Sequence, residues 1–386
     1  MKQILVRGPV LSNSGYGVHS RQIARWLIER GSNVTFQVLP WGDTSWLINS
    51  QLENGLIGEI FKRTNFDPNK KYDISFQIQL PNEWDTNLAH TNIGITAGVE
   101  TDRCNPEWIK NVLSMSKVIV PSEFTKKSFT TTSSLVDDKI CVIPESFDDE
   151  YKNENPNQID FGIKTKFNFL IFGQLTGNNV FNDRKNIFYT LKWLCESFKN
   201  DPDVGIILKT NSGKFSKIDK AIVTSVFKKS IEELQKGEFP KIHLLHGFMN
   251  QSEINSLYRH NNIKALISLT RGEGYGLPLL EAASAGVPII ATNWSGHLEF
   301  LNKIKFIGVD YNLEPVHQSR IDNRIFMNGS KWAQVSEEDF KRKIKKFKSN
   351  HSLPTQWAKE STKKIHDIYK FDSIVQLYED RFKDLI

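Results

Sequence analysis

Three observations predict an α/β protein built on two parallel sheets. Short apolar runs of strand length alternate with segments whose apolar residues recur at helical spacing. Two such series occur, one on each side of a polar, apolar-poor stretch. The chain of 386 residues is also too long for one ordinary core.

In the first series, residues 4–6 read as a strand and Gly15-Tyr16-Gly17 as a glycine turn. Ile23, Trp26 and Leu27, with Gly31 behind them, read as a capped amphipathic helix. Val34, Phe36 and Val38 alternate as a second strand. Residues 74–78, 93–95, 118–120 and 141–143 continue the strands, with helices over 107–115 and after Pro121-Ser122. From 147 to 166 the pattern turns polar, with Asp148, Asp149, Glu150, Asn153 and Pro156, and this is the linker candidate. In the second series the strands are 167–172, 204–208, 242–245, 265–269 and 287–291, and the helices include 186–198 and 252–259. These readings predict domains at 1–150 and 160–370, with ligands at the carboxyl edges of the sheets. A final helix lies within 371–386.

Composition narrows the classes. No run of about 18 apolar residues would span a bilayer and the N-terminus lacks a signal-peptide core, so a cytoplasmic protein is expected. Cys104, Cys141 and Cys195 show neither disulfide nor zinc spacing, and the nine histidines form no metal-ligand pattern. A net charge of +6 weakly favours anionic partners such as a membrane surface, where the protein would sit peripherally, or a nucleic acid. The densest basic cluster, 341–348, carries Phe340, Ile344 and Phe347 at helical spacing, so its lysines also read as the solvated side of an amphipathic helix.

The most informative segment is Arg271-Gly272-Glu273-Gly274-Tyr275-Gly276-Leu277-Pro278, which continues to Glu281, Gly286 and Pro288. A buried strand is followed by three glycines, and a helix then starts near Leu277 with Pro278 at a position that favours helix entry. Amides at a helix start form an anion site suited to a diphosphate. Glu281, read as lying in the first helical turn, would accept from a vicinal diol such as a ribose, while Glu273 on the loop reaches another part of the same ligand. An isolated Glu pair at this spacing has a plainer reading, in which Glu281 complements the helix dipole and Glu273 is solvated. The loop glycines, the proline and the flanking strands favour the ligand reading.

This segment resembles the Glu-x7-Glu signature of the retaining glycosyltransferases of family 4. Their GT-B architecture has two facing Rossmann-like domains and a C-terminal helix that crosses back to the first. The resemblance implies that Glu273 contacts donor-sugar hydroxyls, that Glu281 contacts the ribose, and that the backbone of Gly274, Tyr275, Gly276 and Leu277 holds the donor phosphates. Arg184-Lys185-Asn186 at a helix head matches the family's phosphate-binding pair at Lys185. Gln174 departs from the usual Arg, a loss for which Arg184 or Lys209 is expected to compensate. The loop Gly15-Tyr16-Gly17 resembles the family's N-terminal glycine-rich turn, with a purely structural turn as the alternative. A dinucleotide fingerprint would need glycine where Ser20 stands. Glu100 occupies the neighbourhood of a family histidine and resembles a variant that binds sugar or acceptor, with a helix-capping or solvated role equally open. Gly296, His297 and Glu299 follow the next strand, where His297 also reads as a packing residue.

The implied activity is retaining, metal-independent transfer of a sugar from a UDP-sugar or GDP-sugar to a hydroxyl of a glycan, lipid, protein or nucleic acid. A nucleotide-sugar binding protein without transfer activity and a nucleotide-sugar epimerase of GT-B shape are the alternatives. Oligomeric state is not legible.

Overall fold

The computed structural model describes residues 1–386 apart from 175, 177, 178, 211–215, 235, 236, 238 and 239. The chain divides into two units, one of residues 1–146, 322–327 and 371–386, the other of residues 147–321 and 328–370.

In the first unit, β1 (Gln3–Gly8), α1 (Gly15–Glu29), β2 (Asn33–Val38), α2 (Leu56–Phe61), β3 (Tyr72–Ile78), β4 (Ala89–Ile95), α3 (Pro106–Ser114), β5 (Lys117–Val120), α4 (Glu123–Thr132) and β6 (Ile140–Val142) follow in turn. The described strands form one parallel sheet in the order β2-β1-β3-β4-β5-β6. Its central strands are buried on both faces, which is why they read as near-continuous apolar runs.

The glycine turn expected at Gly15-Tyr16-Gly17 is instead the first turn of α1. Ser14 caps it, its side chain accepting from the Gly17 N–H at 3.1 Å. Gly17 is required by close approach, since a Cβ there would stand 1.9 Å from the Ser12 carbonyl oxygen. That same oxygen accepts from the buried Arg21 guanidinium at 2.9 Å, so the loop before α1 is drawn onto the helix.

In the second unit the elements are β7 (Phe167–Phe172), α5 (Ile187–Ser197), β8 (Val204–Thr210), α6 (Lys217–Leu234), β9 (Lys241–His246), α7 (Gln251–Tyr258), β10 (Ile263–Ser268), α8 (Leu277–Ser284), β11 (Ile289–Thr292), α9 (Leu298–Leu301) and β12 (Ile307–Val309). The parallel order is β12-β11-β10-β7-β8-β9, so the strand order reverses between β7 and β10. The sequence reading did not contain β12, α6 or the antiparallel pair β13 (Tyr311–Pro315) and β14 (Lys331–Val335). Then come α10 (Glu337–Ser349) and α11 (Ser352–Tyr369), the latter also unread. Its buried set, Ala358, Ile365 and Tyr369, is too sparse to give a clear period.

The helix α10 has the amphipathic character read from its sequence. Phe340, Ile344 and Phe347 enter the sheet core beside Phe167, Phe169 and Trp193. On the polar side Lys341 pairs with Glu196 and Glu337, Lys343 with Asp339, and Lys348 with Asp201. Much of the basic cluster is thus engaged within its own unit. Asp201-Pro202-Asp203 is a turn ahead of β8, the Asp203 N–H donating to the Asp201 carboxylate at 3.2 Å.

The polar stretch after 147 is docked at its start. Phe147 and Tyr151 are buried, and Asn255 on α7 donates to the carbonyls of Glu150 and Asn153 at 2.8 and 2.9 Å. The last helix, α12 (Phe371–Phe382), belongs to the first unit. Its Glu379 accepts from Trp26 at 2.7 Å and pairs with Arg30 at 2.9 Å, and Tyr378 lies 3.3 Å from His19.

Gly17→Ala should lower unfolding stability by about 1–3 kcal/mol, because the Ser12 loop has to move. Gly15→Ala, whose Cβ meets nothing within 4 Å, should change it by less than about 0.5 kcal/mol. Urea titration of the two variants checks the contrast.

Candidate functional site

At the β7/β10 reversal, loops leave the carboxyl ends of both strands and part in opposite directions, the place where open α/β sheets accept ligands. The loop after β7 ends at Asp183-Arg184-Lys185-Asn186. Buried Asp183 accepts from Thr176 Oγ1 at 3.0 Å and from the Ile187 N–H at 2.7 Å, which caps α5 and fixes the two cations ahead of it. Asn186 has φ +56°, a left-handed conformation that asparagine tolerates better than most residues.

The loop after β10 carries Glu273. Its N–H donates to Ser295 Oγ at 2.9 Å, and its carbonyl accepts from the Gly296 N–H at 2.8 Å. A Cβ on Gly296 would lie 2.0 Å from the Gly274 carbonyl oxygen, so glycine is needed where the two loops press together. His297 is buried and donates from Nε2 to the Thr292 carbonyl at 2.7 Å, a packing role. From the other side, the Ala333 N–H in β14 donates to the Arg271 carbonyl at 2.9 Å, and the buried Arg271 guanidinium lies 5.4 Å over the Trp332 ring.

Held this way, the Glu273 carboxylate meets Lys185 Nζ at 2.5 Å and Arg184 Nη1 at 3.3 Å. Arg184 also donates to the Gly272 carbonyl at 2.6 Å. Burial alone would push the Glu273 carboxyl up, but Lys185 and Arg184 outweigh it and hold it down at about 2.

Glu281 has the opposite surroundings. The helix α8 starts at Leu277, after Gly276 at φ +97°, with Pro278 second, so Glu281 stands in the second turn rather than the first. The Tyr258 hydroxyl lies 3.2 Å from Glu281 Oε2 and 3.0 Å from the Pro278 carbonyl, and the Tyr151 hydroxyl bonds to the same carboxylate. Burial, with Asp148 adding to it, raises the Glu281 carboxyl to about 7 against the two tyrosine hydrogen bonds.

The helix-start anion site is narrower than the sequence implies. Pro278 has no N–H, and the Leu279 and Leu280 amides turn back on the Gly276 carbonyl at 2.9 and 3.3 Å. Tyr275 is buried edge-on against Phe300, with ring centroids 5.3 Å apart, so its side chain anchors the loop.

Lys209 is 2% exposed at the end of β8, and its ammonium donates to the Gly247 carbonyl. Burial lowers it to about 8, with Glu253 opposing. In the first unit, the Tyr16 hydroxyl lies 3.0 Å from Thr96 Oγ1 and accepts from the Ala97 N–H at 3.0 Å, while the ring stacks on Trp41 at 4.0 Å. Tyr16 therefore ties its loop to the segment after β4, where Glu100 follows. The second unit thus gathers Glu273, Lys185, Arg184 and the Gly274–Leu277 backbone, with Glu281 one turn on. Gly15, Tyr16, Gly17 and Glu100 belong to the first unit. The sequence reading did not include Tyr258, Tyr151, Ser295 or Asp183, because nothing in their spacing marks contacts made by folding.

Comparison with known proteins bears on the fold and on the family it resembles. The profile of the family described as "Glycosyl transferases group 1" matches residues 224–364, which belong to the second unit apart from 322–327. A probable sucrose-phosphate synthase from Thermosipho melanesiensis is 20% identical over 303 residues, 76% of this chain and 64% of that relative's length. The chain thus spans less than two thirds of this curated relative. A glycosyltransferase structure from Rickettsia africae superposes with TM-score 0.64 at 17% identity, covering 99% of this chain and 98% of that one. The fold is GT-B. An Anabaena protein, HepE, solved in complex with UDP, superposes with TM-score 0.60 at 13% identity over the full length of both chains.

The two carboxylates should affect stability with opposite signs. Glu273 titrates below its unfolded value near 4.5, so its contribution is present above pH 4.5 and is lost as pH falls toward 2. Glu281 titrates above its unfolded value, so stability is lost as pH rises from 4.5 through 7. At pH 8, Glu273→Gln should therefore destabilise the protein and Glu281→Gln stabilise it, each by roughly 1–3 kcal/mol. The Glu281→Gln gain should vanish near pH 4.5, as read by urea unfolding at a series of pH values.

Proposed function

We propose that this GT-B protein is a retaining, metal-independent glycosyltransferase that moves a sugar from a nucleoside diphosphate sugar to a hydroxyl acceptor. The observation that carries the reading is the pairing of Glu273 with Lys185 and Arg184 at the β7/β10 reversal. Two cations already held at one carboxylate form a charge site that a diphosphate can enter by exchange. The phosphates take Lys185 and Arg184, and Glu273, less tightly engaged, turns to accept from donor-sugar hydroxyls.

The chemistry follows from that exchange. The bond between the anomeric carbon and the β-phosphate oxygen breaks, and negative charge grows on the departing diphosphate. Lys185, Arg184 and the amides from Gly274 to Leu277 stabilise that charge where it develops. The acceptor oxygen forms its bond on the same face of the sugar, and its proton passes to the departing phosphate, so configuration is retained. With these groups supplying the positive charge, the step needs no metal. Glu281 accepts from the ribose diol.

On this reading the donor is a UDP-sugar or a GDP-sugar, and the UDP complex of the related fold supports the first. The second unit is the donor side and the first the acceptor side. Gly15 and Gly17 shape the first unit's loop backbone, Tyr16 braces it, and Glu100 meets the sugar or the acceptor. The reading places the reaction in the cytoplasm, and among the described residues no helix is long and apolar enough to cross a membrane.

Mass spectrometry after incubation with a panel of UDP- and GDP-sugars, with and without a chelator, should show one donor consumed and slowly hydrolysed in water. Glu273→Ala should slow its turnover about 100-fold or more with a smaller change in donor affinity. Glu281→Ala should weaken nucleotide binding about tenfold. Unchanged affinity and turnover in both variants would sink the assignment. Because an ionised carboxylate is the stronger acceptor, affinity for the nucleoside diphosphate should fall as pH drops below about 7, following the raised Glu281 carboxyl.

A further inference from the structure

Glu281 is the second carboxylate of the site, and among the described residues no cation pairs with it. Its partners are two phenols from separate segments. Tyr258, 2% exposed at the end of α7, is stacked on Phe172 with ring centroids 5.4 Å apart. Tyr151, 3% exposed, packs edge-on against Tyr258 at 5.9 Å. Tyr151 is brought there by α7, where Arg259 donates to its carbonyl at 2.9 Å and Asn255 holds the carbonyls on either side of the turn. Two rigid rings, each with its hydroxyl on one carboxylate, leave that carboxylate little rotamer freedom. Asp148 is the other charged group facing it, and its sign repels a second anion rather than pairing with Glu281.

This arrangement suits one ligand chemistry. A carboxylate held by phenol donors keeps lone pairs for further donors, and a vicinal diol presents two hydroxyls at the spacing of its two oxygens. A cation at the same place would have occupied those lone pairs and favoured a phosphate as the incoming group. We propose that Tyr258 and Tyr151 are positioning residues that fix Glu281 as the acceptor for a ribose 2′,3′-diol, so that the site selects ribonucleotides over 2′-deoxyribonucleotides. The proposal rests on the reading of the site as a nucleoside diphosphate sugar site. It adds the residues that set its sugar-ring selectivity.

Loss of one diol hydroxyl leaves a buried acceptor without its donor, which is the arrangement that discriminates strongly against an analogue lacking a hydroxyl. Removing the phenols should therefore erode discrimination more than binding. Isothermal titration of the full chain with UDP, GDP, 2′-deoxy-UDP and 2′-deoxy-GDP measures this directly. The wild type should prefer the ribo form of its nucleotide by about tenfold or more. Tyr258→Phe and Tyr151→Phe should each lower that ratio several-fold, with deoxy affinity unchanged within about twofold, which also shows that the variants are folded. Glu281→Gln should lower the ratio similarly, and adding it to Tyr258→Phe should produce no further full loss, since the two act through one contact. The pH at which ribonucleotide affinity falls should move upward in both Phe variants, because each loses a donor to the ionised carboxylate.

Equal losses for ribo and deoxy forms would overturn the positioning role and leave Tyr258 and Tyr151 as packing residues. An unchanged ratio in both Phe variants would overturn it as well. A wild type that binds neither UDP nor GDP would instead refute the nucleotide-sugar reading on which the proposal rests.

Discussion

A carboxylate taken out of water must be met by positive charge or by hydrogen bonds, and Glu273, with 9% of its side chain exposed, is met by both. The loop that carries it is gripped from two sides, by Ser295 and Gly296 on one and by the β13–β14 pair acting through Arg271 on the other. The cations come from a different loop, whose conformation is set by buried Asp183. Neither loop is placed by its own sequence alone. Each is fixed because the unmet charge of Glu273, or of Lys185, would be costly in the other's absence.

The same segment contains a second carboxylate in contrasting surroundings. Two acids eight positions apart differ from about 2 to about 7 because one faces an ammonium and a guanidinium and the other faces two phenols and Asp148. Environments that drive like groups apart assign them different work. On the proposed reading, the acid held ionised beside cations exchanges charge with an incoming anion. On the same reading, the acid hydrogen-bonded by neutral phenols accepts from uncharged hydroxyls. The division follows from which strand end each residue leaves and which helix turn it occupies, since Glu281 in the second turn of α8 points toward α7 rather than to the helix start.

Much of the architecture was legible in sequence because parallel strands buried on both faces are continuous apolar runs, as in Phe167–Phe172 and Val204–Thr210. What escaped had weaker patterns. The strand β12 is three residues long, β13 is mostly exposed, and α11 buries only Ala358, Ile365 and Tyr369 over five turns. In the site, glycines and paired charges announced Glu273, Lys185 and Arg184. Tyr258 was legible only as part of a helix and Tyr151 only as part of a linker candidate, because a hydroxyl's partner 23 or more positions away leaves no local period. Gly15-Tyr16-Gly17 was read as a turn for an understandable reason. Two glycines suggest one, but Ser14 caps a helix there, and Gly17 serves close packing against Ser12.

The substitution at Gln174 tests how charge is shared in this site. A neutral side chain where the related signature has an arginine removes one cation, and two nearby candidates exist to replace it. Lys209 is the less suited. Its ammonium is turned to the Gly247 carbonyl, Glu253 lies near it, and reaching a diphosphate would mean giving up a buried hydrogen bond from a group already disfavoured in its charged form. Arg184 starts from a better position, since it already lies beside Lys185 on the carboxylate that, on the proposed reading, an incoming phosphate would displace. On the proposed reading, the adjacent pair Arg184-Lys185 would do what two separated residues do in the related signature. That adjacency also explains why two cations tolerate a helix head: before any ligand arrives, Glu273 supplies the countercharge that the macrodipole of α5 cannot.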